Sequence, residues 1–206
     1  MTDATLRSVA RGGFGFEPLP SSRAEVEGIQ RLYPQEASVY LGEAATEERV
    51  KSTGKNVRHL HFATHGLLNE RFPLDSALVL TIPEHQAEGQ DNGLLQAWEI
   101  FEKLRIDADL VTLSACETGL GKEMGGEGLV GLTRAFQYAG ARSVLASLWS
   151  VSDVSTADLM RRFYTYLKAG KTKDEALRSA QVDLIHGATA SHPFHWAAFQ
   201  LVGDWR

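Results

Sequence analysis

The run Asp109-Leu110-Val111-Thr112-Leu113-Ser114-Ala115-Cys116-Glu117-Thr118-Gly119 decides the fold class. From Leu110 to Ala115 it is rich in apolar residues with little alternation, and it stops at a glycine-containing loop. A strand of this kind is covered on both faces, as the inner strands of a parallel sheet are. A second run ends in a similar way: Val57-Arg58-His59-Leu60-His61-Phe62-Ala63-Thr64-His65-Gly66. Cys116 is the only cysteine of the chain. A lone thiol and a histidine thus each close a short strand and run into a loop.

Working outward, strands are expected at Val57–Ala63, Ala77–Ile82, Asp109–Ala115 and Ser143–Leu148, and a last one within Trp196–Val202. Helical patterns fall between them at Leu94–Leu104 and Gly128–Ala139. From Asp153 to Lys168 a helix is expected with Val154, Ala157, Met160, Phe163 and Leu167 on one stripe. Thr172 opens another, with Leu177, Ala180 and Leu184 inward. Strands alternating with helices predict βαβ units, an α/β fold and a mostly parallel sheet. Upstream, Met1–Ser22 reads as an irregular arm broken by Gly12, Gly13, Gly15, Pro18 and Pro20. Ser21 or Ser22 is expected to cap a helix that Pro34 ends, with Val26, Ile29 and Leu32 on one face. Ser38–Leu41 is a short strand candidate, and Thr46 caps a short helix.

The chain has 206 residues, 43% of them hydrophobic and 23% charged, which predicts one domain with a real core. Its net charge of −5 and the lack of any Lys/Arg-rich run argue against a nucleic-acid face. No apolar run reaches the length of a membrane span, and Met1–Thr5 lacks the pattern of a signal peptide. One cysteine makes no internal disulfide and fits a reducing, cytoplasmic location.

Parallel α/β sheets bind ligands at the carboxyl ends of their strands. His65 and Cys116 both occupy such ends. If the two strands are neighbours, the imidazole takes the thiol proton and the thiolate attacks a carbonyl. The backbone N–H groups of Gly66 and Cys116 are the candidate donors to the resulting oxyanion. The plain alternative is a buried cysteine that packs as a small hydrophobe, beside a loop histidine. His61 and His65 mimic a helical metal pair, but residues four apart on a strand lie roughly 13 Å from each other. No metal site and no cofactor are expected, and His59 and His61 read as packed or hydrogen-bonded strand residues. Gly119–Gly126 is no phosphate loop, since no Ser or Thr follows Lys122; its glycines read as a mobile loop beside the nucleophile. Trp149 is a candidate wall of a substrate cleft. Asp153 is a candidate receptor for a basic substrate side chain, or else the cap of the helix that follows it. Ser155 and Asp158 offer that helix a capping box.

Ala63-Thr64-His65-Gly66, Leu113-Ser114-Ala115-Cys116-Glu117-Thr118-Gly119, Gly126-Glu127-Gly128 and Ser147-Leu148-Trp149-Ser150-Val151 follow one another in order. With these, the chain closely resembles the CHAT domain, a caspase-like peptidase domain often found behind tetratricopeptide repeats in bacteria. Phe16–Glu25 and Leu41–Thr46 share the likeness. Caspases carry the histidine roughly 50 residues before the cysteine, and 51 separate the two here. The resemblance implies a three-layer α/β/α sandwich over residues 23–206 behind an arm at 1–22, with the first strand of the family missing. It implies His65 as general base and acid, Cys116 as nucleophile, and the Gly66 and Cys116 amides as oxyanion donors. Glu117-Thr118-Gly119 after the cysteine departs from caspases, so cleavage after Asp does not carry over. The expected activity is cleavage of a protein substrate, under control of a tetratricopeptide-repeat or other sensor partner. The alternative is a gated or silent caspase-like interaction module, and acyl transfer to a non-peptide substrate would use the same dyad.

Overall fold

In a computed structural model of the chain, the described residues are 18–83, 90–117 and 126–206, of which 115–117 are described by their backbone. Apolar residues on both faces of the central runs call for a helical layer on each side, and the structure supplies both. Among the described residues six strands form one sheet: β1 (His59–Leu67), β2 (Ala77–Val79), β3 (Leu94–Gln96), β4 (Leu110–Glu117), β5 (Ser143–Ser147) and β6 (Phe199–Gly203). Their order is β3-β2-β1-β4-β5-β6. The core β1-β4-β5 is parallel, and the flanking pairs are antiparallel.

Among the described residues six helices flank the sheet: α1 (Pro20–Leu32), α2 (Glu47–Lys51), α3 (Ala97–Lys103), α4 (Glu127–Ala139), α5 (Asp153–Lys168) and α6 (Lys173–Ile185). Val111, Leu113, Val144 and Ala146 pack with Ile100 of α3 and Leu132 and Phe136 of α4. On the opposite face Leu110 and Leu145 pack with Ile29 of α1, Met160 and Phe163 of α5 and Ala180 of α6. The period-two alternation of each central strand thus divides its apolar residues between two cores.

Thr46 accepts the Arg49 amide at 3.3 Å as the expected cap of α2, and Thr172 with Glu175 forms a capping box on α6. Other expectations are corrected. Neither Ser21 nor Ser22 caps α1: the helix already begins at Pro20, and the Ser22 hydroxyl donates to the Leu19 carbonyl at 2.7 Å. Proline suits the first helical position, where its missing N–H had no partner to lose. The helix expected from Leu94 starts at Ala97, because Leu94–Gln96 pair with β2 instead. Gly93 makes the turn into that strand at φ +86, where a Cβ would lie 2.7 Å from the Ile82 Cα. Ser38–Leu41 forms no strand, having no ladder partner among the described residues. Val154 is 71% exposed rather than inward, since the buried stripe of α5 runs through Thr156, Leu159, Met160, Phe163 and Tyr164. The last strand begins at Phe199, after a 3-10 turn at Pro193–His195. Most of the arm at 1–22, and the glycine loop expected beside Cys116, lie outside the described residues.

Candidate active site

The parallel ladder between β1 and β4 runs from His59↔Leu110 to Gly66↔Glu117 and pairs His65 with Cys116. Neighbouring strands lie about 4.8 Å apart, so the two backbone positions are adjacent. Both strands end at the same edge of the sheet. His65 is also paired on its other side, with Val79 of β2. The Thr64 hydroxyl donates to the Val79 carbonyl at this junction. The register therefore brings together the two residues that the sequence singled out, with Gly66 one position further along.

Trp149 follows β5 at the same edge. Its indole N–H donates to the Phe194 carbonyl at 3.2 Å, and its own carbonyl accepts the Ser147 hydroxyl at 2.6 Å. The ring packs on the core between the sheet and α5–α6. Ser155 and His195 meet at 3.0 Å, and the Leu148 amide donates to Ala198, so the C-terminal turn braces this loop at several points. Ser155 makes no capping box with Asp158; its hydroxyl donates to the Ser152 carbonyl. Asp153 does not cap its own helix. It is the first residue of α5, and its Oδ2 accepts the Ser21 amide of α1 at 2.5 Å. The carboxylate thus satisfies a free donor in the first turn of a different helix.

A buried polar chain lies on the same face, farther from the edge. His61 Nε2 meets Glu25 at 2.7 Å, and His61 Nδ1 meets the Tyr164 hydroxyl at 3.2 Å. Tyr164 also meets Thr112 of β4 at 3.0 Å. Burial holds the Tyr164 phenol well above the ordinary tyrosine range. His59 lies edge-on to Tyr33 and Tyr164; burial, and next the neighbouring Arg58 charge, lower its pKa. His61 is accordingly a structural tie between β1, α1 and α5. Tyr164→Phe is expected to cost about 1–3 kcal/mol, since it leaves two buried groups short of a partner. A fall in urea midpoint at unchanged slope checks this.

Sequence reasoning passed over Ser114. It is 6% exposed, and its hydroxyl has no hydrogen-bond partner among the described residues. A buried hydroxyl without a partner is uncommon. The available signal was a polar residue in an otherwise apolar strand, two positions before Cys116.

A further cluster lies away from this edge. Lys51 donates to Glu47 and Asp91 at 2.6 Å and to Glu99 at 2.8 Å, tying α2, the approach to β3 and α3 together. Glu47 also accepts the amides of Asn92 and Gly93. These three carboxylates could group around a cation, and the Lys51 ammonium bonds to all of them.

A family model described as the CHAT domain matches residues 3–204. Tetratricopeptide repeat protein 28 of Mus musculus is 32% identical over 220 residues, covering 91% of this chain and 9% of that protein. Its Homo sapiens counterpart is 31% identical over 220 residues, with 91% and 8% covered. The chain therefore spans about a tenth of the length of these relatives. Both are mammalian, so the bacterial setting expected from the sequence finds no support in them. No helix among the described residues is long and apolar enough to cross a membrane.

Proposed function

The chain belongs to the CHAT domain family, and on that premise we propose that it is a cysteine endopeptidase acting through His65 and Cys116. The observation that carries this reading is the His65↔Cys116 pairing at the shared end of two parallel strands. His65 takes the thiol proton, and the thiolate adds to the scissile carbonyl. The backbone N–H groups of Gly66 and Cys116 receive the oxyanion. The imidazolium then protonates the leaving amine, which departs as the thioester forms. Water, deprotonated by His65, adds to the thioester and expels the Cys116 thiolate with the carboxyl product. No step requires a metal or cofactor.

Trp149, held by Phe194, forms a wall of the substrate cleft in this reading. The substrate is a protein, and a tetratricopeptide-repeat or sensor segment controls access. Incubation with candidate protein substrates, comparing wild type with Cys116→Ala, tests the activity; equal cleavage by both removes it. One observation favours a second reading: both relatives are named for their tetratricopeptide repeats. A gated or silent interaction module would leave Cys116 unreactive toward a thiol-directed active-site probe, even with a partner present.

Asp153 offers a separate test. If it also receives a basic substrate side chain, Asp153→Ala loses preference for Arg or Lys before the scissile bond. If its part is confined to the Ser21 amide, stability falls by about 0.5–2 kcal/mol while the cleavage preference stays unchanged. Substrate profiling beside a urea titration separates the two.

A further inference from the structure

The loop at 148–152, between β5 and α5, meets the C-terminal turn at three points. At its start the Leu148 amide donates to the Ala198 carbonyl at 2.9 Å. In its middle the Trp149 indole N–H donates to the Phe194 carbonyl at 3.2 Å. At its end the Ser152 carbonyl accepts the Ser155 hydroxyl at 3.0 Å, and that hydroxyl meets His195 Nδ1 at 3.0 Å. A serine hydroxyl has one proton to donate. Here it goes to the Ser152 carbonyl, so the hydroxyl accepts at its other contact and His195 carries a proton on Nδ1. His195 is thereby tied, through Ser155, to the end of the loop whose middle its neighbour Phe194 holds. The turn is braced in its own right. Pro193 opens it, the His195 amide donates to the His192 carbonyl at 3.0 Å, and His192 Nδ1 accepts the Phe194 amide at 3.2 Å. Gln181 of α6 donates to the Trp196 carbonyl at 3.1 Å, and the Trp196 indole donates to the Ser191 carbonyl at 3.1 Å.

We propose that His195 is a positioning residue: docked on Ser155 in the first turn of α5, it fixes the Phe194 carbonyl and with it the direction of the Trp149 indole that walls the substrate cleft. This rests on the wall role given to Trp149 above. Trp149 and His195 are half-buried, and Phe194 is 45% exposed with its ring edge-on to His195 at 5.5 Å. Apolar packing is non-directional, whereas a hydrogen bond sets an angle as well as a distance. The core against which the indole packs therefore holds it in place, and the Phe194 carbonyl aims it. The carbonyl is in turn placed by the residues on either side, Pro193 in the turn and His195 on Ser155. Since His195 acts through Trp149 and not on the thiol, its loss should weaken substrate binding and spare the chemical step.

Nitrogen relaxation of the indole N–H groups in the full chain tests the placing of Trp149 without reference to catalysis, with Trp149→Phe identifying its signal by loss. The expected order parameter is that of a rigid N–H, about 0.85, and His195→Ala should lower it below about 0.6. His195→Asn keeps an N–H near the place of Nδ1 and should restore most of the order. Ser155→Ala removes the acceptor of the same bond; it should loosen Trp149 as far, and it serves where His195→Ala does not fold. The Trp196 indole, held by Ser191, should stay ordered throughout. In cleavage assays His195→Ala should raise KM at least about fivefold with kcat within about twofold, and His195→Asn should reverse the rise. If the wild type cleaves nothing, the peptidase reading falls, and the relaxation result alone decides the placing of Trp149. Four results overturn the proposal. One is a mobile Trp149 indole in the wild type. Another is an order parameter unchanged by both His195→Ala and Ser155→Ala. The third is equal loss of order at Trp196, which makes the change a collapse of the turn. The fourth is a fall in kcat at unchanged KM, which places His195 in the chemistry itself.

Discussion

Cys116→Ala is expected to reduce cleavage of a protein substrate by at least about a thousandfold and to abolish labelling by a thiol-directed active-site probe. The reason is chemical: alanine offers no group to form the thioester, while the oxyanion amides at Gly66 and at position 116 remain. The β4 ladder is a backbone feature and survives the change, so the unfolding midpoint should move little. His65→Ala is expected to fall as far, because the thiol then lacks its proton acceptor. The double variant should be hardly worse than either single one, since residues that act as a unit are not additive. Steady-state cleavage and probe labelling, measured on folded protein, provide the check. Full additivity of the two losses would show that His65 and Cys116 do not act on the same step.

Lys51→Met is expected to destabilise the protein by about 3–5 kcal/mol, with no change in the chemistry at Cys116. Glu47 and Glu99 have side chains 1% and 7% exposed, and the Lys51 ammonium bonds to both of them and to Asp91. Removing the cation leaves three carboxylates facing one another in a largely buried space. Burial presses the Lys51 pKa down, but the hydrogen bonds it donates to Asp91, Glu47 and Glu99 outweigh it and hold the pKa above the ordinary lysine value of 10.5. Because the folded value is raised, the lysine's contribution is complete below the unfolded value and fades only as pH climbs through the folded one. Stability of the wild type should therefore be insensitive to Lys51 across neutral pH. The variant should regain part of its loss in acid, where protonation relieves the repulsion among its carboxylates. Urea titrations of both proteins at neutral and acid pH measure this; a loss as large in acid as at neutrality would place its origin in lost packing instead.

Much of this arrangement was legible in the residues. Largely apolar runs with little alternation around Val111 and Val144 announced strands covered on both faces, and α3 to α6 were announced by their apolar spacing. His61 was legible as a hydrogen-bonded strand residue, and the structure pairs it with Glu25 and Tyr164. Other features were hidden for physical reasons. β3 is three residues long, too short to break the helical pattern around it, and its pairing with β2 overrides that pattern. Val154 was misplaced because an apolar stripe drawn through one turn cannot register Tyr164, a polar-headed residue that is buried in full. The expected strand at Ser38–Leu41 has the right residues but no ladder partner among the described ones.

The sequence by itself determined the alternation of strands and helices, the chemical kit of one thiol and one strand-end histidine, and the resemblance that the family match bears out. These are properties of short stretches, set by side-chain type and spacing. Only the tertiary structure decided that His65 stands opposite Cys116, that Asp153 serves the first turn of α1, and that Lys51 gathers three carboxylates. Each of these joins residues from 4 to 132 positions apart, and the more distant meet only through strand order, ladder register and helix packing. A one-residue slip between β1 and β4 would leave every local pattern intact and separate the pair on which the proposed chemistry depends.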